Sequence, residues 1–117
     1  MARFEILHNP RCGKSRQTLA RLTDAGIEPV VVEYLTTPPT KARLQEIVKL
    51  LGFDDPRQLM RTKEPVYGEL GLAKVTDPQK LLAAMVANPI LIERPIVIKD
   101  GKRAVLGRPP ENVDPLL

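Results

Sequence analysis

Apolar positions first gather in FEIL at 4–7, a run too short for a helix and closed by Asn9-Pro10, where proline lacks the N–H that a strand ladder needs. This predicts a first strand. Leu19, Leu22 and Ala25 then recur at helical spacing from Lys14 up to Gly26, a glycine suited to a helix C-terminus. VVVEY at 30–34 follows as a second strand. The N-terminal stretch therefore reads as strand, helix, strand, with two parallel strands joined by a right-handed crossover.

The middle of the chain is helical in pattern. Pro38-Pro39-Thr40 is a start signal, Leu44, Ile47, Val48 and Leu51 share one face, and Gly52 closes the helix. Asp55-Pro56 opens a short helix through Leu59 and Met60, and Asp77-Pro78 opens another through Leu81, Leu82 and Met85 that ends near Asn88-Pro89. Beyond this block, PIVIK at 95–99 and RAVL at 103–106 flank Asp100-Gly101, a strong signal for a tight hairpin. A short helix is expected after Pro109-Pro110. The order is βαβ, helices, ββα. That is an α/β, thioredoxin-like arrangement with an inserted helical block, in which the N-terminus of the first helix opens at one end of the sheet.

Composition narrows what such a chain does. Its 117 residues suit one domain, expected to span 1–117, and 43% hydrophobic with 27% charged residues is ordinary for a globular protein. No apolar run approaches bilayer length, and MARFEILHNP lacks the apolar core of a signal peptide, so no membrane association and a cytoplasmic location are expected. Eighteen Lys and Arg against fourteen Asp and Glu suit either nucleic acid or a small-anion site. With two Tyr, two Phe and no Trp there is no stacking platform for bases, and nucleic acid is not the expected partner.

HNPRCGKSR at 8–16 holds the only cysteine and the only histidine, which cannot form an internal disulfide and do not make a zinc site. No metal is expected. Gly13-Lys14-Ser15 resembles the end of a phosphate loop, but the glycine needed five positions earlier is His8. A phosphatase-type loop fails as well, since Thr18 stands where an arginine is needed. What remains is thiolate chemistry. Cys12 falls where the turn enters the first helix, facing unpaired N–H groups and the positive end of the helix dipole, with Arg11, Lys14 and Arg16 adding positive potential.

Lowering a thiol pKa from about 8.5 to about 6.5 raises the thiolate fraction at pH 7 roughly 25-fold, and the accompanying fall in nucleophilicity removes roughly 8-fold of that. A net gain of about threefold is too small for catalysis, so converging cationic donors must hold the electrophile. Cys12 could alternatively be a small buried hydrophobe. His8 reads either as a satisfied hydrogen-bonding residue near the strand end or as a support for the thiolate, and Ser15 as a first-turn residue or a hydroxyl donor to the sulfur.

HNPRCGKSR at 8–16, EYLTTPP at 33–39, LMRTKEPVYGELGL at 59–72, NPILIERPIVI at 88–98 and GRPPE at 107–111 together resemble the glutaredoxin-dependent arsenate reductase (ArsC-like) family. The resemblance implies a thioredoxin-like fold in which Cys12 attacks arsenate while Arg61 in LMRTKE, Arg94 in ERPIV and Arg108 in GRPPE hold the oxyanion. Glutathione would then attack the adduct as co-substrate, arsenite would leave, and glutaredoxin would resolve the remaining mixed disulfide. No bound cofactor is implied. Pro95 falls where thioredoxin-like folds place a cis proline near the thiol. Lys14 and the GRPPE segment depart from the well-studied arsenate reductases and point to a less characterised, YfgD-like branch. The wider family also resembles Spx-type regulators that bind RNA polymerase without catalysis, which gives the alternative reading of a regulatory adaptor. Many of those carry CxxC, and here the fourth position is Ser15.

Overall fold

Strand β1, Phe4–Leu7, alternates its side chains between two faces, and the computed structural model, which describes residues 2–117, places it at the centre of a four-stranded sheet. The sheet order is β2-β1-β3-β4, with β2 at Val30–Val32, β3 at Ile96–Lys99 and β4 at Arg103–Leu106. β1 runs parallel to β2, with Ile6 opposite Val31, and antiparallel to β3, with Ile6 opposite Val97. Helix α1, Gly13–Asp24, connects the parallel pair. The β3–β4 hairpin turns through residues 100–102, with positive φ angles of 55° at Asp100 and 65° at Gly101 that let the Lys102 N–H donate back to the Lys99 carbonyl at 3.0 Å. This is the expected thioredoxin-like order.

Two compact units make up the chain, one of residues 1–37 and 94–117 and the other of residues 38–93. In the first, Phe4 and Ile6 of β1 share a sheet face with Val97, and they pack with Leu22 of α1 and with Val113 and Leu116 of the C-terminal 3-10 helix, Pro110–Leu116. All six are buried, and Leu19, Ile27 and Val105 pack against them. Leu7, Ile96 and Ile98 alternate onto the opposite face and are buried too. Arg21 of α1 adds a paired hydrogen bond to Asp114, at 2.7 and 2.8 Å.

The second unit is the inserted helical block. Helix α2, Lys41–Leu50, starts at Thr40, whose hydroxyl accepts from the Arg43 N–H, and buries Leu44, Ile47 and Val48. Asp77 likewise accepts from the Gln79 N–H and starts α4, Pro78–Ala87, which buries Leu81, Leu82 and Met85. Between them lie a 3-10 turn at Pro56–Leu59 and helix α3, Pro65–Glu69. Arg57 fastens this stretch by donating to the Tyr67 hydroxyl and to the carbonyls of Leu72 and Val75.

Several boundaries differ from expectation. β2 stops at Val32 rather than continuing through Tyr34, because the Glu33 carbonyl turns away from the ladder to accept from the N–H groups of Thr36 and Thr37. β3 begins at Ile96, one residue after Pro95. Helix α3 and the short 3-10 turns at Leu72–Lys74 and Pro89–Leu91 were not expected, being too short for periodicity to register. Among the described residues no helix is long and apolar enough to cross a membrane.

Candidate active site

The turn after β1 is built by Asn9. Its side-chain oxygen accepts from the Arg11 N–H at 3.0 Å and its carbonyl accepts from the Cys12 N–H at 3.0 Å, so the chain bends sharply out of the sheet and into α1. Cys12 is the N-cap residue, extended at φ −94° and ψ 123°, and its carbonyl accepts the first helical bond from Arg16. Arg16 also ties back to the turn, donating from Nη1 to the Pro10 carbonyl at 2.9 Å. Cysteine is a poor cap, so its place here leaves first-turn N–H groups facing a polarisable sulfur.

The Cys12 side chain is partly exposed. Burial pushes its thiol pKa up, but the N–H of Ser15, the charge of Arg94, the N–H of Lys14 and a hydrogen bond from the Arg94 side chain together outweigh that, leaving the thiol below its ordinary value. Arg94 is thus brought to the sulfur from the far end of the sequence, just ahead of β3. The Arg94–Pro95 bond is cis, as expected, and Arg108–Pro109 is cis as well, which was not.

Below the cysteine lies a buried polar pair. His8 is 6% exposed and Ser15 fully buried, and His8 Nδ1 and Ser15 Oγ are 2.6 Å apart. Ser15 Oγ also accepts from the Asn9 N–H at 3.0 Å, so the hydroxyl locks the turn on which Cys12 sits. Burial lowers the His8 pKa; Glu33 opposes that shift and Arg16 reinforces it. The net effect favours the neutral imidazole.

Arg108 occupies the turn after β4. Its side chain is exposed and makes no ion pair among the described residues, while its carbonyl accepts from Asn112 Nδ2 at 3.0 Å. Two residues missed in the sequence hold this turn in place. Thr18, fully buried, donates from Oγ1 to the Gly107 carbonyl at 2.9 Å, and the Gly107 N–H donates to the Pro95 carbonyl at 2.9 Å. A Cβ on Gly107 would come within 2.7 Å of the Thr18 side chain and 3.0 Å of Pro95 Cγ, so only a glycine lets the strands and α1 approach this closely. The one available signal was a threonine at helical spacing from Ser15, on the face that α1 buries.

Arg61 belongs to the other unit. There its guanidinium is engaged by Glu64 at 2.8 Å and lies 3.7 Å from Glu93, and its N–H donates to the Leu91 carbonyl. Of the seven site residues expected, the first unit therefore carries six, with Cys12, Arg94, His8 and Ser15 linked by direct or single-step contacts. Among the described residues no group of three or more His, Cys, Asp and Glu side chains is placed to hold a metal ion.

The geometry, a single activated thiol with an arginine against it on a thioredoxin-like sheet, agrees with the similarity to known proteins. The ArsC family profile matches residues 7–116. The uncharacterized protein YfgD of Escherichia coli (strain K12) is 53% identical over 110 residues, which is 93% of this chain and 92% of YfgD. An arsenate reductase of Neisseria meningitidis (strain MC58) is 47% identical over 118 residues, 100% of both chains. The solved structure of an arsenate reductase from Vibrio cholerae superposes with a TM-score of 0.93 at 46% identity, covering 97% of each chain. With the likeness running through the cysteine turn, the inserted helices and the cis-proline hairpin alike, the chain belongs to the ArsC family.

Proposed function

We propose that this protein is an oxidoreductase that reduces arsenate to arsenite through Cys12, with glutathione as co-substrate and glutaredoxin as the resolving partner. The observation that carries the reading is the Cys12 thiol beside the Arg94 guanidinium at the start of α1, a sulfur whose thiolate form is favoured next to a donor suited to a tetrahedral oxyanion.

In the proposed cycle the Cys12 thiolate attacks arsenic(V) and a sulfur–arsenic bond forms as one arsenate oxygen leaves as water. A glutathione thiol then attacks the Cys12 sulfur. The sulfur–sulfur bond forms, the sulfur–arsenic bond breaks with its electron pair remaining on arsenic, and the thiol proton passes to arsenite. Arsenic gains two electrons and the two sulfurs lose one each. No second cysteine is available to resolve the Cys12–glutathione disulfide, so an external dithiol such as glutaredoxin is required. A glutathione-reduced compartment follows from this chemistry, and the cytoplasm is the proposed location.

Arg94 and Arg108 are the proposed oxyanion donors of the cysteine-bearing unit. Arg108 brings a guanidinium that no described carboxylate occupies. The resemblance gives Arg61 the same role, and its substitution tests that. The assay is arsenite formation from arsenate with glutathione and glutaredoxin. Turnover by the wild type and none by Cys12→Ser is expected. No turnover by the wild type, together with capture of RNA polymerase that survives Cys12→Ser, would replace this reading with that of a regulatory adaptor.

A further inference from the structure

A groove of about 420 Å³ opens beside the cysteine turn, lined by His8, Asn9, Pro10, Arg11, Glu33, Leu35 and Thr36. Its volume falls in the range of small-molecule clefts, about 300–1,000 Å³. It is distinct in make-up from the anion site, since neither Cys12, Arg94 nor Arg108 lines it. Its last lining residue on the turn is Arg11, whose Cα lies only about 3.8 Å from that of Cys12.

The groove carries one charge of each sign. Arg11 and Glu33 are both exposed, and neither forms an ion pair or a side-chain hydrogen bond among the described residues. Two opposite charges that line one groove and do not pair offer a carboxylate acceptor and a guanidinium donor to a third party. Between them lie the apolar surfaces of Pro10 and Leu35 and the edge of His8. His8 Nδ1 is taken by Ser15, while Nε2 makes no hydrogen bond among the described residues. A ligand that satisfies all three features carries an ammonium, a carboxylate and a short chain of polar and apolar groups between them.

We infer that this groove is the docking site of the reducing thiol, a small zwitterionic peptide of the γ-glutamyl-cysteinyl type, with Glu33 taking its ammonium and Arg11 one of its carboxylates. The inference rests on the arsenate-reductase reading for its choice of occupant. It gives the second thiol of that reading a place beside the cysteine turn and apart from Arg94 and Arg108. An arginine fork favours a carboxylate, and an unpaired glutamate favours an ammonium over a second anion, which separates this groove from a second arsenate site.

The test uses S-methylglutathione, which cannot react, titrated into the wild-type protein and followed by amide NMR shifts. Saturable shifts at Arg11, Glu33 and Thr36 are expected. Glu33→Gln should weaken binding by about tenfold or more, and N-acetylation of the ligand should cost the wild type a similar factor while costing Glu33→Gln little further. Arg11→Gln should weaken binding of both ligands. Both residues are exposed, so these variants keep the fold. Absence of saturable binding, or binding that Glu33→Gln and Arg11→Gln leave unchanged, overturns the inference. Arsenite formation without groove binding would overturn the groove alone, whereas groove binding in a protein that makes no arsenite would sustain the site and defeat the proposed reaction.

Discussion

Thr18 of α1 donates its hydroxyl to the Gly107 carbonyl at 2.9 Å, a bond that joins residues 89 positions apart and fastens the helix carrying Cys12 to the turn carrying Arg108. The same hydroxyl also lies 2.8 Å from the Lys14 carbonyl, so one proton serves two acceptors. Thr18→Val keeps the shape and removes the donor. We expect it to cost about 1–3 kcal/mol, the usual range for a buried acceptor left unmatched, while Thr18→Ser retains the donor and loses less. Urea unfolding midpoints of the two variants check this; a larger loss in Thr18→Ser than in Thr18→Val would mean that the methyl group, not the hydroxyl, matters.

The second expectation concerns the thiol. Burial raises the Cys12 pKa, but Ser15, Lys14 and Arg94 overcome it, so the thiolate persists to lower pH than a free cysteine would allow. Alkylation by iodoacetamide, followed against pH, should reach half its maximal rate below the free-thiol midpoint of about 8.5. Arg94→Ala should move the profile upward. A wild-type midpoint at or above the free value would remove the activated nucleophile from the account.

Much of this site could be read from residues alone because its parts are local. Asn9-Pro10 announced the strand end, and the turn it makes put Cys12 at a helix start; Asp100-Gly101 announced the hairpin that returns Gly107 beside Pro95. The bond between His8 and Ser15 is seven residues long in sequence and spans one turn, so it too was within reach. Contacts between distant segments were not. Nothing in GRPPE says that Gly107 must lack a side chain to clear Thr18, since that is a property of packing between α1 and β4. The opposed charges of Arg11 and Glu33 face one groove only because β2 stops short and the Glu33 carbonyl turns the chain. The roles of the arginines came from family resemblance, because an isolated arginine carries no signal of what it will face.

A third expectation follows from burial of His8. Its folded pKa lies below the free value of about 6.5, so between the two values the unfolded chain binds more protons than the folded one. Its contribution to stability is complete above pH 6.5 and declines as pH falls toward the lowered value. Urea midpoints measured from pH 7.5 down to pH 5 should therefore drop more steeply in the wild type than in His8→Gln. Parallel profiles would show that His8 titrates alike in both states.

The arginines give a fourth. Replacing Arg94 or Arg108 with Lys keeps the charge and loses the planar fork, and each change should lower arsenate turnover by roughly tenfold or more, equivalent to at least about 1.4 kcal/mol. Arg108 is exposed and forms no ion pair among the described residues, so Arg108→Lys should leave the unfolding midpoint nearly unchanged. Steady-state kinetics beside urea unfolding separates the two effects. Unaltered turnover in both variants would mean that these arginines do not hold the oxyanion.

The central claim is that one sulfur, Cys12, carries the electrons from glutathione to arsenic. A single-turnover experiment reads it directly: protein, arsenate and glutathione are mixed without glutaredoxin, quenched with acid, and assayed for arsenite and by intact mass and peptide mapping. The expected result is one arsenite released per protein and one glutathione attached at Cys12, with neither in Cys12→Ser. Arsenite formed without modification of Cys12, or Cys12 glutathionylated at the same rate when arsenate is omitted, would contradict the account.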